Sequence, residues 1–187
     1  MLLIVSNEAI RIHRSILFNR LYNLFLIHFK HQTMNFRKAT ISDLQEMQEM
    51  YVETIKWVCK NDYNPLQINA WISGLNDTER WLKVLHSQFV LLAIIENKIV
   101  GYGTLKDGNY IDFFCVHKDF QRQKIADKIF NELEAEARKE NAKTITADVS
   151  ITAKPFFEHK GFITKAEQKN IRLGVELINY KMEKSLN

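Results

Sequence analysis

From Met34 onward, apolar and polar positions recur with two distinct periods. Residues 35–39 (NFRKA) alternate at period two, as an edge strand does. A stripe then recurs at three- and four-residue spacing through Leu44, Met47, Met50–Tyr51, Ile55 and Val58, which predicts a helix that Thr40 or Ser42 caps. Asn64–Pro65 breaks the chain. Shorter helical pieces follow over 68–72 and 78–85, separated by Gly74. FVLLAIIE reads as a buried strand, Asn97–Lys98 as a turn, and IVGYGTLK as the hairpin partner. A turn at Gly108–Asn109 leads into a third apolar run, YIDFFCV. Ala126, Ile129–Phe130, Leu133 and Ala137 form another helical stripe, with Glu134 and Arg138 as an i,i+4 pair on its flank. TITADV is a strand. Residues 152–159 form a short helix with Pro155 in its first turn, and Gly161 stands where a left-handed cap is expected. GFITKAE and VELINYKME close the chain as strands. The order predicts an α/β (α+β) domain over 34–187 with helices around a central sheet.

Residues 1–33 differ. They are apolar but interrupted by Asn19, Arg20 and Asn23, and no run reaches the roughly 18 apolar residues a membrane span needs. Three readings stand for this N-terminal extension: an amphipathic targeting or surface helix, an extra helix packed on the domain, or a translation start that belongs at Met34. The last is preferred. The chain has 187 residues and a net charge of +4. Four basic residues against Glu8 alone place +3 of that charge in residues 1–33. The remainder is nearly neutral, which argues against nucleic acid as a partner. Two distant cysteines, Cys59 and Cys115, make neither a disulfide framework nor a zinc pattern and suit a cytoplasmic protein. No metal site is expected.

The most informative stretch is VHKDFQRQKIADKIF, residues 116–130. A strand gives way to a helix through a polar, basic segment. A helix N-terminus presents unsatisfied N–H groups and partial positive charge, so an anion held there accounts for the composition. Here the loop is Gln121, Arg122, Gln123, Lys124, Ile125, Ala126. A second segment reads Phe156, Phe157, Glu158, His159, Lys160, Gly161, Phe162. Together with the element order, these resemble the GNAT N-acetyltransferase superfamily, whose loop follows Gln/Arg-x-x-Gly-x-Gly/Ala and whose later helix ends Phe-Tyr-x-x-x-Gly-Phe. ITAKPFFEHKGF, YIDFFCV and the spacing of Tyr63, Ile68 and Trp71 are similar to a small bacterial subgroup, the YafP type. The resemblance spans about residues 34–183.

The resemblance implies a central mixed, mostly antiparallel sheet flanked by helices, with two strands splayed to form an acyl-CoA cleft. It implies acetyl-CoA as co-substrate, an amine acceptor, and a homodimer as one assembly. Backbone amides of 121–126 would cradle the pyrophosphate. Phe114, Cys115 and Val116 would pair with the pantetheine arm, with the Val116 N–H donating to the thioester oxygen; Ser150 and Phe157 would also line the cofactor. Lys124 replaces the family's loop glycine. It keeps its amide donor if its backbone stays helical, and its ammonium can meet a phosphate.

The acceptor must lose a proton, and Asp112 is the candidate base or amine binder. It stands in an otherwise apolar strand, on the same face as Tyr110 and Phe114 by period two. A carboxylate there is paired, exposed or functional. Phe157 lacks the hydroxyl that many GNATs carry at this position, leaving water, Ser150 or another tyrosine to protonate the thiolate. Tyr63, Trp71 and Tyr110 are candidates for the substrate wall, with core packing the first role for Tyr63 and Trp71 and the wall their second. Cys115 and His117 share a strand face, but no third partner has a diagnostic spacing. The functions implied are N-acetylation of a small primary amine, acetylation of a protein N-terminus or lysine, or CoA sensing without turnover.

Overall fold

A computed structural model describes residues 33–187, of which Asn35–Asn187 form one compact unit. The readings for the N-terminal extension, apart from Thr33, lie outside the described residues. The chain runs β1 (Asn35–Lys38), α1 (Leu44–Val58), α2 (Pro65–Ile72), α3 (Thr78–Ser87), β2 (Phe89–Ile95), β3 (Lys98–Lys106), β4 (Tyr110–Val116), α4 (Ile125–Lys139), β5 (Thr144–Ser150), α5 (Lys154–His159), β6 (Ile163–Arg172) and β7 (Val175–Ser185). The strands form one sheet in the order β1-β2-β3-β4-β5-β7-β6. Each pairing is antiparallel except β4 with β5. This is the mixed α/β architecture that the periodicities imply.

The stripes are buried as their spacing demands. Met47, Met50, Tyr51 and Ile55 of α1 pack with Trp81 and Val84 of α3 against Val90, Leu92 and Tyr102. Helix α4 buries Ile125, Ile129, Phe130, Leu133 and Ala137, lying on β3 where Gly101 and Gly103 have no side chain. The apparent break at Asn64–Pro65 is also a start. The Asn64 side chain accepts from the Gln67 N–H, the Gln67 side chain accepts from the Asn64 N–H, and Pro65 occupies the first turn. This reciprocal cap satisfies two donors that a helix start leaves open.

A buried carboxylate secures the start of the sheet. Asp43, 7% exposed, takes both Arg37 guanidinium nitrogens at 2.7 Å and also accepts from the Thr40 N–H and hydroxyl. The bond from Arg37 is the largest influence and lowers the Asp43 pKa to about 2 from 3.8. A depressed carboxylate stabilises the fold above its unfolded pKa and loses that contribution as pH falls through the folded value. Wild type is therefore expected to lose about 2 kcal/mol between pH 5 and pH 2 through this group, at 1.36 kcal/mol per pKa unit. Asp43→Asn should be less stable at pH 7 and flatter over that window. Urea unfolding at a series of pH values measures both; parallel pH profiles would refute the assignment.

Between β4 and β5 the sheet opens. Only Tyr110 with Thr146 and Ile111 with Ala147 are in register. Beyond them β4 continues along β3 to Val116, and β5 continues along β7 to Ser150. The two strands separate, as the family resemblance implies, leaving facing edges without strand partners among the described residues.

Candidate active site

The opened edge of β4 presents backbone groups in a definite pattern. His117 N–H donates to the Val100 carbonyl at 2.9 Å, flanking the Gly101–Val116 pair. That makes Gly101–Val116 a non-hydrogen-bonded pair, so the Val116 N–H points away from β3. Phe114, two residues earlier and opposite Gly103, does the same. Both amides therefore face the space that β5 vacates.

A bulge interrupts the period-two alternation here. Phe114 pairs with Gly103 and Ile111 with Leu105, so β4 carries one residue more than β3 between those pairs. The buried Thr104 hydroxyl accepts the displaced Phe113 N–H at 2.9 Å. Consequently Asp112 and Phe114 do not share a face, contrary to the sequence expectation. Asp112 and Phe113 both meet Arg80 of α3, whose guanidinium lies over the Phe113 ring. Phe114 turns the other way, stacking on Phe156 and meeting Phe157 edge-on.

The loop that follows is held to the strand by a side chain. Gln121 Nε2 donates to the Val116 carbonyl at 2.6 Å, and the Thr54 hydroxyl donates to the same oxygen at 3.3 Å. Gln121 thus uses its amide group to close the loop. Arg122 and Lys124 both have left-handed backbones, with φ of 59° and 60°. Lys124 is the N-cap of α4, so its backbone is not helical in the right-handed sense; it retains the glycine conformation without being glycine. Alternation of hand in such a turn gathers N–H groups into a concave anion site. Beside the loop lies a hollow of about 310 Å³ lined by Trp57, Val58, Lys118, Asp119 and Gln121.

Lys124 therefore combines strain with charge. Lys124→Gly is expected to stabilise the chain by about 0.5–1 kcal/mol, because a side chain in the left-handed region costs about 1–2 kcal/mol and glycine avoids most of it. Lys124→Glu is expected to weaken acetyl-CoA binding about tenfold, or about 1.4 kcal/mol. Calorimetry with both variants separates the effects. Unchanged affinity for Lys124→Glu would exclude a phosphate contact.

The second motif has a local physical explanation. Gly161 has φ 87°, its N–H donates to the Glu158 carbonyl, and the Phe162 N–H donates to the Phe157 carbonyl. These two bonds define a Schellman ending to α5, and Phe157 and Phe162 supply its hydrophobic contact at 5.0 Å. Phe157 is 3% exposed, so it supports Phe114 and Phe156 from behind; this corrects its placement as a cofactor-lining residue. Ser150 Oγ accepts from the Ala153 N–H at 3.0 Å, opening the turn into α5, and donates no hydrogen bond among the described residues.

Asp112 is paired. Oδ1 accepts from Arg80 Nη2 at 2.6 Å and Oδ2 from Gln88 Nε2 at 2.8 Å. Of its three sequence readings, the structure displays the ion-paired one, and an unencumbered general base is not what stands there. Tyr63 is packed in the core. It is 3% exposed, and its hydroxyl accepts from the Ile151 N–H and donates to the Ile178 carbonyl. It joins the end of β5 to β7 as a pillar, with Trp71 edge-on at 5.0 Å. Burial is the main reason its pKa rises to about 12.

Tyr110 is half-buried. Burial, then the Asp148 and Asp112 carboxylates, hold its hydroxyl well above the usual range. Asp148 stands exposed on β5 and accepts from Gln168 Nε2 at 2.9 Å. Cys115 lies opposite Tyr102, and burial pushes its thiol up to about 12; it remains a protonated packing group rather than a nucleophile. His117 is buried, its Nδ1 accepts from the Asp119 N–H, and burial lowers its pKa. Among the described residues, no group of three or more potential ligands is arranged for a metal.

Arg80, Gln88, Thr104 and Asp148 carried no motif. Arg80 and Gln88 reach Asp112 from 32 and 24 residues away, and only the fold brings them there.

Comparison with known proteins gives the same picture. Residues 59–184 match the family profile described as Acetyltransferase (GNAT) domain. The uncharacterized N-acetyltransferase YafP of Escherichia coli strain K12 is 31% identical over 140 residues, 75% of this chain and 88% of its own length. The crystal structure of a GCN5-related N-acetyltransferase from Rhodopseudomonas palustris superposes with a TM-score of 0.79 at 28% identity, covering 82% of this chain and 96% of that one. PaiA N-acetyltransferase from Thermoplasma acidophilum, solved with coenzyme A, superposes with a TM-score of 0.65 at 20% identity over 82% and 99% of the two chains.

Proposed function

Because the chain belongs to the GNAT family of acetyltransferases, we propose that it moves an acetyl group from acetyl-CoA to a primary amine on a small molecule by direct attack. The carrying observation is the splay of β4 from β5, whose free edge runs directly into the left-handed turn at the start of α4. A thioester arm fits along that edge as an added strand would, and a diphosphate fits the turn. The Phe114 and Val116 amides supply donors where charge develops on the acyl oxygen, the arrangement that favours the transition state over the ground state. Amides of 121–126, with Arg122 and Lys124, hold the phosphates.

Acetyl-CoA supplies an activated acyl carbon. In the transfer a C–N bond forms and a C–S bond breaks; nitrogen gives up a proton and sulfur acquires one. An alkylammonium is largely protonated at neutral pH, so a group that orders it and accepts its proton accelerates the step. Asp112, with both oxygens engaged, orients Arg80 and the bulge and is poorly placed to shuttle protons. Ser150 retains a hydroxyl proton for the departing sulfur.

The test is release of CoA thiol from acetyl-CoA across a panel of small primary amines, followed with a thiol-reactive dye, beside calorimetry with acetyl-CoA. Amine-dependent release supports the proposal. Tight binding with no turnover on amines or peptides would make the chain a CoA sensor, and release with peptides alone would make it a protein acetyltransferase.

A further inference from the structure

Building on the acetyl-transfer reading, we infer that Asp148, rather than Asp112, receives the acceptor's ammonium, and that the acceptor is an amine with one positive charge and no carboxylate beside it. Ile111 and Ala147 are the last residues paired between β4 and β5. Asp112 and Asp148 come next on their strands, so both stand where the strands part. Their states differ. Asp112 is neutralised by Arg80 and bonded by Gln88.

Asp148 forms no ion pair among the described residues. Its contacts are neutral: Gln168 donates to Oδ1, and the Tyr110 hydroxyl is held protonated toward it. Gln168 and Asn170 each donate in turn to Asn179, so the β6–β7 side chains bonded around Asp148 are uncharged amides. Lys181, its register partner on β7, is exposed and does not bridge to it. With Asp112 balanced by Arg80, Asp148 supplies the negative charge at this point, and the exposed Lys181 beside it offsets that charge only weakly through solvent. A second negative charge close to the amine would face that field unfavourably.

The position fits the reaction. Asp148 precedes Ser150 by two residues on the polar face of β5, where Thr146, Asp148 and Ser150 are less buried than Ile145, Ala147 and Val149. The ammonium thus meets a carboxylate at the mouth of the cleft, close to the strand edge along which the thioester would lie. Asp148 acts as the ammonium-binding residue and is the first acceptor for the proton that nitrogen loses.

The experiment pairs amines that differ by one carboxylate: ethanolamine with serine, tyramine with tyrosine, and phenethylamine with phenylalanine. Binding to the full chain is measured by saturation-transfer NMR with and without CoA, and turnover by thiol release. Wild type is expected to favour each decarboxylated partner at least about tenfold, the scale of one lost charge contact of about 1.4 kcal/mol. Asp148→Asn preserves the acceptor oxygen for Gln168 and is expected to raise the amine KM about tenfold, with the KM for acetyl-CoA unchanged. Asp148→Glu should restore part of that loss, an outcome a merely structural role would not produce. Unchanged amine binding and KM in Asp148→Asn, or no preference within the pairs, overturns the inference. Absence of acetyl-CoA binding to wild type overturns the acetyl-transfer reading instead, and amine binding to the CoA-free chain tells the two failures apart.

Discussion

Replacing Gly101 by valine is expected to cost about 3 kcal/mol, the upper part of the usual range for overpacking a closed core, and to lower the melting temperature by roughly 10 °C. A Cβ at that position would stand 2.7 Å from Ile129 Cδ1, 3.1 Å from Ile125 Cγ2 and 3.1 Å from the Cys115 carbonyl oxygen. Ile125 and Ile129 both belong to α4, so their contacts are relieved by lifting that helix off β3. The carbonyl contact is not relieved that way, because Cys115 is held in the β3–β4 ladder opposite Tyr102. Ile125 is the first residue of α4 and directly follows the left-handed Lys124, so lifting the helix displaces the turn proposed to hold the diphosphate. Thermal melts should show the stability loss, and calorimetry should show weaker acetyl-CoA binding in the material that remains folded. A melting temperature within about 2 °C of wild type would mean that α4 adapts without strain.

Trp81→Ala is expected to cost about 4 kcal/mol, within the range for truncating a buried tryptophan. Trp81 is 1% exposed. It stacks on Phe113 at 4.7 Å, meets Tyr51 edge-on at 5.5 Å, and donates its indole N–H to the Gly74 carbonyl at 3.3 Å. The loss is not confined to packing. Phe113 sits in the bulge and directly precedes Phe114, whose amide faces the cleft. With the indole gone, Phe113 loses one wall and Arg80 loses part of the surface against which it is set. The catalytic rate should therefore fall further than stability alone accounts for, and Trp81→Phe, which retains a stacking ring, should recover much of it. Urea unfolding together with kcat on the best amine distinguishes these contributions. A Trp81→Ala protein that is destabilised yet turns over normally would separate the bulge from catalysis.

Asp112 shows how far a local reading reaches. A carboxylate in YIDFFCV is conspicuous, and pairing was among the explanations open to it. The identity of the partner was not legible, because Arg80 reaches it from another helix. Tyr63 is similar: its hydroxyl joins backbone atoms of Ile151 and Ile178, 88 and 115 residues away. No spacing rule encodes contacts of that separation. By contrast, the aromatic–glycine–aromatic ending of α5 was legible because its bonds and its ring contact all close within six residues.

What the amino-acid order determined by itself was everything governed by short-range periodicity: the strands, the helical stripes, the left-handed glycine after α5, and the basic turn that opens α4. Helical and extended backbones repeat every 3.6 and 2 residues, and burial selects matching side chains. Tertiary structure alone decided the rest. The β4 bulge, completed by the hydroxyl of Thr104, set Asp112 and Phe114 on opposite sides. The parting of β4 from β5 brought Asp148 to the mouth of the cleft. Both outcomes depend on which strands lie side by side and where they separate, and that is fixed by packing among distant segments rather than by any pattern within one.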